Sequence, residues 1–202
     1  MFDSGISAKN LIEEVISEAD IALEIPTTTY VMWLNALQQM LYTEIIKEQK
    51  KYVLRPISNP IDISTIEIGE NENQPRFEDI HTIYADGVQL IKSTLTSGVI
   101  FPDTFYKNNN NIGYNTEYTP SEMTIVYYVK PALITTTTHG NVNDVNVMLP
   151  IEFIDLAKAK LRGEAYKLAN EDSIAAKWLN DYNILLETFK AWILEKSSDF
   201  GM

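Results

Sequence analysis

Apolar residues recur at one-turn spacing early in the chain, where Leu11, Ile12, Val15, Ile16 and Ala19 follow Ser7, a side chain suited to capping a helix. Pro26 breaks the pattern. Past the cap candidates Thr27 to Thr29, a second helix is predicted from Tyr30, Leu34, Leu37, Leu41 and Ile45, with Trp33 and Met40 on the same side. It is expected to run to about Gln49.

The middle of the chain changes to period two and to turn chemistry. Asp86-Gly87 stands between Thr82-Ile83-Tyr84 and Val88-Gln89-Leu90-Ile91, and Asp-Gly supplies the positive φ angles of a tight type I′ hairpin. A second hairpin is predicted to pair Thr104-Phe105-Tyr106 with Ile112-Gly113-Tyr114 across the asparagines 108–111, which tolerate left-handed backbone. Met123 to Lys130 alternates as a strand, and Pro131, with no N–H to donate, ends it.

Leu149-Pro150 opens a third stretch, because proline suits the first turn of a helix. Phe153, Leu156, Ala157, Leu161, Ala165 and Leu168 give its apolar face, and Ala157, Ala159, Gly163, Ala165 and Ala169 make it small-sided enough for close approach of a neighbouring backbone. After Asn170 to Ser173, the residues Ala175, Leu179, Tyr182, Leu186, Phe189 and Ile193 form a heptad seam. Those six positions span about 80° of the helix, and Trp178, Leu185 and Trp192 widen the apolar arc to about 140°. Two readings of this arc stay open: a helix broadly buried in its own subunit, or a two-sided helix whose tryptophan edge meets another chain.

The 202 residues suit about one domain at roughly 100–200 residues each. The expected organisation is a single domain over 1–202, with N-terminal helices in 1–49, a β-rich insertion in 50–149 and C-terminal helices in 150–202. With 45% apolar and 22% charged residues, the composition predicts a soluble globular protein. No basic-then-apolar leader stands at the N-terminus, and no apolar run approaches about 20 residues, so neither a signal peptide nor a membrane partner is expected.

The net charge of −12, with only three arginines, disfavours a sequence-specific nucleic-acid binder. It divides as −6, −4 and −2 over the three stretches, so the acid is not confined to one tail. The absence of cysteine removes disulfides, thiolate metal sites and thiol nucleophiles together.

The eight glycines are too widely spaced for a phosphate-cradling loop or a nucleophile elbow. His81 follows Glu78 and Asp79, an arrangement that admits a carboxylate-oriented base but reads more simply as a strand-end histidine with solvated neighbours. His139 has nothing nearby to activate it. The acidic pairs Glu13-Glu14, Glu70 with Glu72, Glu78-Asp79 and Glu171-Asp172 read as solvated surface or helix starts. Asn141, Asn143, Asp144 and Asn146 offer oxygens but only one charge, too little for a calcium loop. The expectation is a non-enzyme with no catalytic residue, cofactor or metal.

Two N-terminal helices, a central set of short strands, then Leu-Pro and two C-terminal helices make an order with further marks. These are the hairpin Ile80 to Leu90 (I-x-x-I-Y-x-D-G-x-x-L), the strand Thr124 to Pro131 (T-I-V-Y-Y-V-K-P), and the closing helical pair from Leu149 to Tyr182 with its acidic corner. Together they resemble the head-to-tail connector, or adaptor, proteins of tailed bacteriophages. The resemblance runs from about Tyr30 onward and rests on hydrophobic pattern, turns and order. It implies a homo-oligomeric ring, usually of twelve subunits, bound beneath the portal protein at the head-tail junction of a virion assembled in the host cytoplasm. Double-stranded DNA would pass through without specific binding, and downstream tail or neck proteins would attach.

A ring subunit must bury apolar surface for its core and again for its neighbours. Trp33, Met40, Trp178, Leu185, Trp192 and Phe200 are the candidate subunit or partner interface, and an acidic wall suits a conduit that must not trap phosphates. The expected fold class is α+β, with N- and C-terminal helices packed with a small central antiparallel β region. The alternatives are another neck, tail-completion or minor capsid protein, or a carbohydrate-binding surface module built on the aromatic loops Phe101 to Tyr106 and Tyr114 to Tyr118.

Overall fold

A computed structural model describes residues 4–47, 49–56, 58–63, 80–93, 102–109, 111–128, 131, 133–137, 141–143 and 145–199. The fold is α+β, as expected, and the chain divides into two compact units: Met1–Ile46 with Pro131–Met202, and Lys47–Lys130.

The first unit is helical. Helix α1 (Ala8–Glu18) begins where predicted, with the Ser7 hydroxyl accepting from the Asn10 N–H, and it buries Ala8, Leu11, Ile12 and Val15. Helix α2 spans Thr27–Met40. Pro26 occupies its N-cap position with no side-chain cap, so the threonines expected to cap it lie inside the first turn. Past Met40 the chain widens into a π-helical stretch, Leu41–Ile46, and stops short of the expected Gln49 at Lys47, whose φ is +47°. A 3-10 turn, Ile151–Phe153, leads from Pro150 into α3 (Ile154–Leu168), and α4 spans Asp172–Asp199.

Segment 131–149, counted with the β region in the sequence reading, belongs to this helical unit. It buries Ile134, Val142, Val147 and Leu149 in the same core as α1, α2 and α3. Its backbone bonds partly to the chain leading into α1, where the Ala8 N–H donates to the Val145 carbonyl at 2.8 Å and the Val147 N–H donates to the Ile6 carbonyl at 2.9 Å, and partly to side-chain amides of α2. The Asn35 Nδ2 donates to the Ile134 carbonyl at 2.8 Å while its Oδ1 accepts from the Ile134 N–H at 2.9 Å, and the buried Gln38 Oε1 accepts from the Met148 N–H at 2.7 Å. The amides add to isolated bridges of Ser7 with Asn146 and Thr136 with Val142, and all but the last of these ties join residues about 100 or more positions apart, so period-two patterning marks no unit boundary at Pro131.

Among its described residues the second unit forms a sheet of seven strands: β1 (Gln49–Leu54), β2 (Ile61–Asp62), β3 (Ile80–Ala85), β4 (Val88–Lys92), β5 (Thr104–Asn108), β6 (Asn111–Asn115) and β7 (Met123–Tyr128). Their spatial order is β1-β7-β3-β4-β5-β6-β2. Every pair is antiparallel except β4 with β5, which runs parallel.

Both predicted hairpins form. Asp86 and Gly87 have φ of +46° and +83°, the two positive values a type I′ turn requires, and Ile83 pairs with Leu90. In the second hairpin Phe105 pairs with Tyr114 and Tyr106 with Gly113. Strand β7 lies between β1 and β3 and departs from clean alternation, with Ile125, Val126 and Tyr127 buried in succession. A register shift at His81 in β3 sets Thr82 opposite Val126 on the face away from Ile83 and Ile125, and buries both.

Candidate functional site

On the helical unit, α3 and α4 frame a groove of about 480 Å³. The small side of α3 produces the close approach beneath it. A Cβ built on Gly163 would lie 2.6 Å from Leu179 Cδ2, so glycine is what lets α4 seat there. The predicted close backbone approach is therefore met by the next helix of the same chain.

Above this contact the groove is lined by Ala159, Arg162, Trp178, Ile184 and Leu185, with Asp155, Lys158 and Asp181 at its edges. The Arg162 guanidinium sits 4.7 Å from the Trp178 ring and is ion-paired to Glu18, while Lys158 is ion-paired to Glu14. Both cations of the groove are thus tied to α1. Ile184 stands 58% exposed beside the half-buried Trp178 and Leu185, which leaves apolar surface open to a partner.

The candidate interface residues separate into groups. Trp178 and Leu185 share the groove. Trp192 packs elsewhere along α4, at 5.4 Å from Phe153 and 6.2 Å from Phe189 between ring centroids, with Lys196 over its ring. Trp33 meets Tyr30 edge to face at 5.4 Å, and both Trp33 and Met40 are half-buried against the helical core. Phe200 lies outside the described residues. The heptad seam is internal: Ala175, Tyr182 and Phe189 are buried, and Leu179, Leu186 and Ile193 partly so. Burial raises the Tyr182 phenol above its ordinary pKa, with Glu164 and Glu44 adding to the effect. Sequence reasoning missed Ile184 because it sits off the seam and outside the tryptophan arc; the unbroken Ile184-Leu185-Leu186 run was the available signal.

The polar residues considered for chemistry are dispersed or structural. His81 is exposed, and its Nδ1 is 3.2 Å from the Tyr128 hydroxyl. His139, Glu70, Glu72, Glu78, Asp79, Phe101 and Asp144 lie outside the described residues. Glu13 and Glu14 face different cations, Lys9 at 3.9 Å and Lys158. Asn143 clips its own loop, accepting from the Thr135 N–H at 2.9 Å. Among the described residues no cluster of three His, Asp or Glu could hold a metal, and no helix is long and apolar enough to cross a membrane.

The tyrosines singled out for sugar stacking differ in exposure. Tyr114 is buried, and the half-buried Tyr106 lays one face of its ring across Gly113, where an added Cβ would collide with it. Tyr118 does remain exposed, beside a second, polar cleft of about 530 Å³ on the sheet unit. Comparison with known protein families gives no matching family, and comparison with curated proteins gives no matching relative.

Proposed function

We propose that the chain is a non-enzymatic structural protein of a tailed-bacteriophage virion. It would be a ring-forming head-to-tail adaptor that binds beneath the portal, forms part of the DNA channel and offers the tail its attachment surface. The observation that carries this reading is the α3–α4 groove, where Ile184 is left open beside Trp178 and Leu185. A closed ring needs two different faces on each subunit, and an apolar groove on an otherwise acidic surface meets the requirement for one of them. The element order of the resemblance, with paired helices at both ends of the chain around a sheet, supports the same assignment.

The site of action follows from the reading: the head-tail junction of the virion, after assembly in the host cytoplasm, with DNA passing through unbound. Mixing the purified protein with its cognate portal and analysing the mixture by native mass spectrometry and electron microscopy tests it. A closed ring stacked on the portal is the expected result. Failure to form any ring complex across a range of concentrations refutes the proposal.

A further inference from the structure

We propose that the sheet unit carries a binding cleft for a neutral saccharide, between Pro56, Ser58 and Asn59 on one wall and residues 114–119 on the other. Its foundation is a side-chain amide. Asn59 donates from Nδ2 to the Tyr114 carbonyl at 2.7 Å and accepts at Oδ1 from the Tyr114 N–H at 3.2 Å, as a paired strand residue would. Strand β2 pairs with β6 only through Ile61 with Ile112 and Asp62 with Asn111, so Asn59 extends that pairing past the end of β2. The wall bearing Ser58 and Asn59 is therefore held against β6, and the Tyr114 ring beneath it is buried.

The opposite wall turns outward after β6. The Thr116 hydroxyl donates to the Tyr118 carbonyl, a local turn that leaves the Tyr118 side chain 50% exposed at the cleft. The Glu117 carboxylate, the Tyr118 phenol and the Thr119 hydroxyl have no hydrogen-bond partner among the described residues, and all three residues line the cleft. Its volume, about 530 Å³, falls within the roughly 300–1,000 Å³ of small-molecule sites.

The chemistry of this lining selects the ligand. Among the described residues no Lys, Arg or His lines the cleft, and the Glu117 carboxylate repels anions, so phosphates, nucleic acids and acidic sugars are disfavoured. Purely apolar ligands would strand the polar groups unpaired. A neutral sugar satisfies both demands, because one face of its ring presents C–H groups to an aromatic side chain while its hydroxyls donate to a carboxylate and exchange hydrogen bonds with a threonine. The inference concerns the sheet unit alone and does not depend on the assembly reading.

Saturation-transfer difference NMR on the full chain with glucose, galactose, mannose, N-acetylglucosamine, maltose and lactose tests the inference. At least one of these is expected to receive saturation, concentrated on the C–H protons of one ring face. Tyr118→Ala should weaken that binding about tenfold and Tyr118→Phe should keep it within about threefold, since the ring makes the contact. Glu117→Gln should weaken it by an intermediate factor. Circular dichroism is expected to be unchanged in all three variants, because the substituted side chains are exposed. No transfer to any of these sugars, or equal transfer in the wild type and Tyr118→Ala, overturns the inference.

Discussion

Replacing Gly163 by alanine sets two effects of opposite sign against each other in α3. In a helix without neighbours the change is favourable by about 1 kcal/mol, because glycine gives up more backbone freedom than alanine. Here the new Cβ would stand 2.6 Å from Leu179 Cδ2, 2.7 Å from its Cγ and 3.3 Å from its backbone nitrogen. Carbon atoms in good contact are about 3.5–4.0 Å apart. The branch point of Leu179 must therefore retreat by about 1 Å, and the α4 backbone must follow it. Overpacking of this kind costs about 1–3 kcal/mol, and contact with a branch point and a backbone atom places it in the upper part of that range.

The net expectation for Gly163→Ala is a loss of about 1–2 kcal/mol, or a fall in Tm of about 2–8 °C for a chain of this size. Leu179→Ala removes the two side-chain atoms that obstruct the new Cβ and leaves only the backbone nitrogen at 3.3 Å. In that background Gly163→Ala should recover most of its helix-propensity gain, so the pair is non-additive by about 2 kcal/mol. Urea denaturation of the wild type, both single variants and the double variant, followed by far-UV circular dichroism, measures the cycle. Stabilisation by Gly163→Ala in the wild-type background would refute the close α3–α4 approach.

Ile184→Asp should leave the urea midpoint unchanged within about 0.5 kcal/mol, because Ile184 is exposed, yet abolish the ring complex with the portal; a ring that persists removes the groove from the interface. Asn35→Ala leaves the N–H and the carbonyl of the buried Ile134 without their amide partner, an expected loss of about 2–4 kcal/mol in urea denaturation, and a loss below about 0.5 kcal/mol would contradict the clamp. The Asp86 carboxyl is held below its ordinary pKa, first by the Ser121 hydroxyl and then by the N–H groups of Ser121 and Glu122. Its contribution is therefore fully present above the usual carboxylate range and is lost as pH falls through the lowered value. Asp86→Asn, which keeps the hairpin turn, should flatten the fall in stability below about pH 4, and an unchanged acid limb would show that the clip contributes nothing.

The elements legible in the sequence are those whose signal is local. Ser7 announced α1 through a hydroxyl three residues from the N–H it caps, and Asp86-Gly87 announced its hairpin through backbone angles that few residue pairs adopt. The boundary at Pro131 was not legible, because Asn35 and Gln38 reach residues about 100 positions away and look like ordinary polar residues of an amphipathic helix. Asn59 belongs to the same class, an amide whose partner, Tyr114, is distant in sequence. The tryptophan arc was read correctly as broad, but its angular width could not assign partners. Trp178 meets an arginine and Trp192 a phenylalanine cluster, and this depends on what α3 and the 3-10 turn present to each.

Half of the net negative charge lies in residues 1–49, and the ion pairs there decide where a DNA-repelling surface could be. Glu14 and Glu18 are neutralised by Lys158 and Arg162, and Glu13 lies 3.9 Å from Lys9. Among the described carboxylates of this stretch, Asp20, Glu24 and Glu44 have no cation within pairing distance among the described residues, and all three are exposed. A paired carboxylate presents a dipole whose field fades within the roughly 8 Å Debye length at physiological salt, so α1 contributes little repulsion toward a phosphate backbone. Under the proposed ring reading, the conduit charge is therefore assigned to the connector between α1 and α2, at Asp20 and Glu24. Reversing both to lysine should convert the assembled ring into one that retains double-stranded DNA at low salt and releases it as salt rises, with the affinity falling steeply on a logarithmic salt axis. The wild-type ring should retain none under the same conditions. If the reversed ring assembles normally and still ignores DNA, the connector faces away from the channel and its acid serves solubility alone.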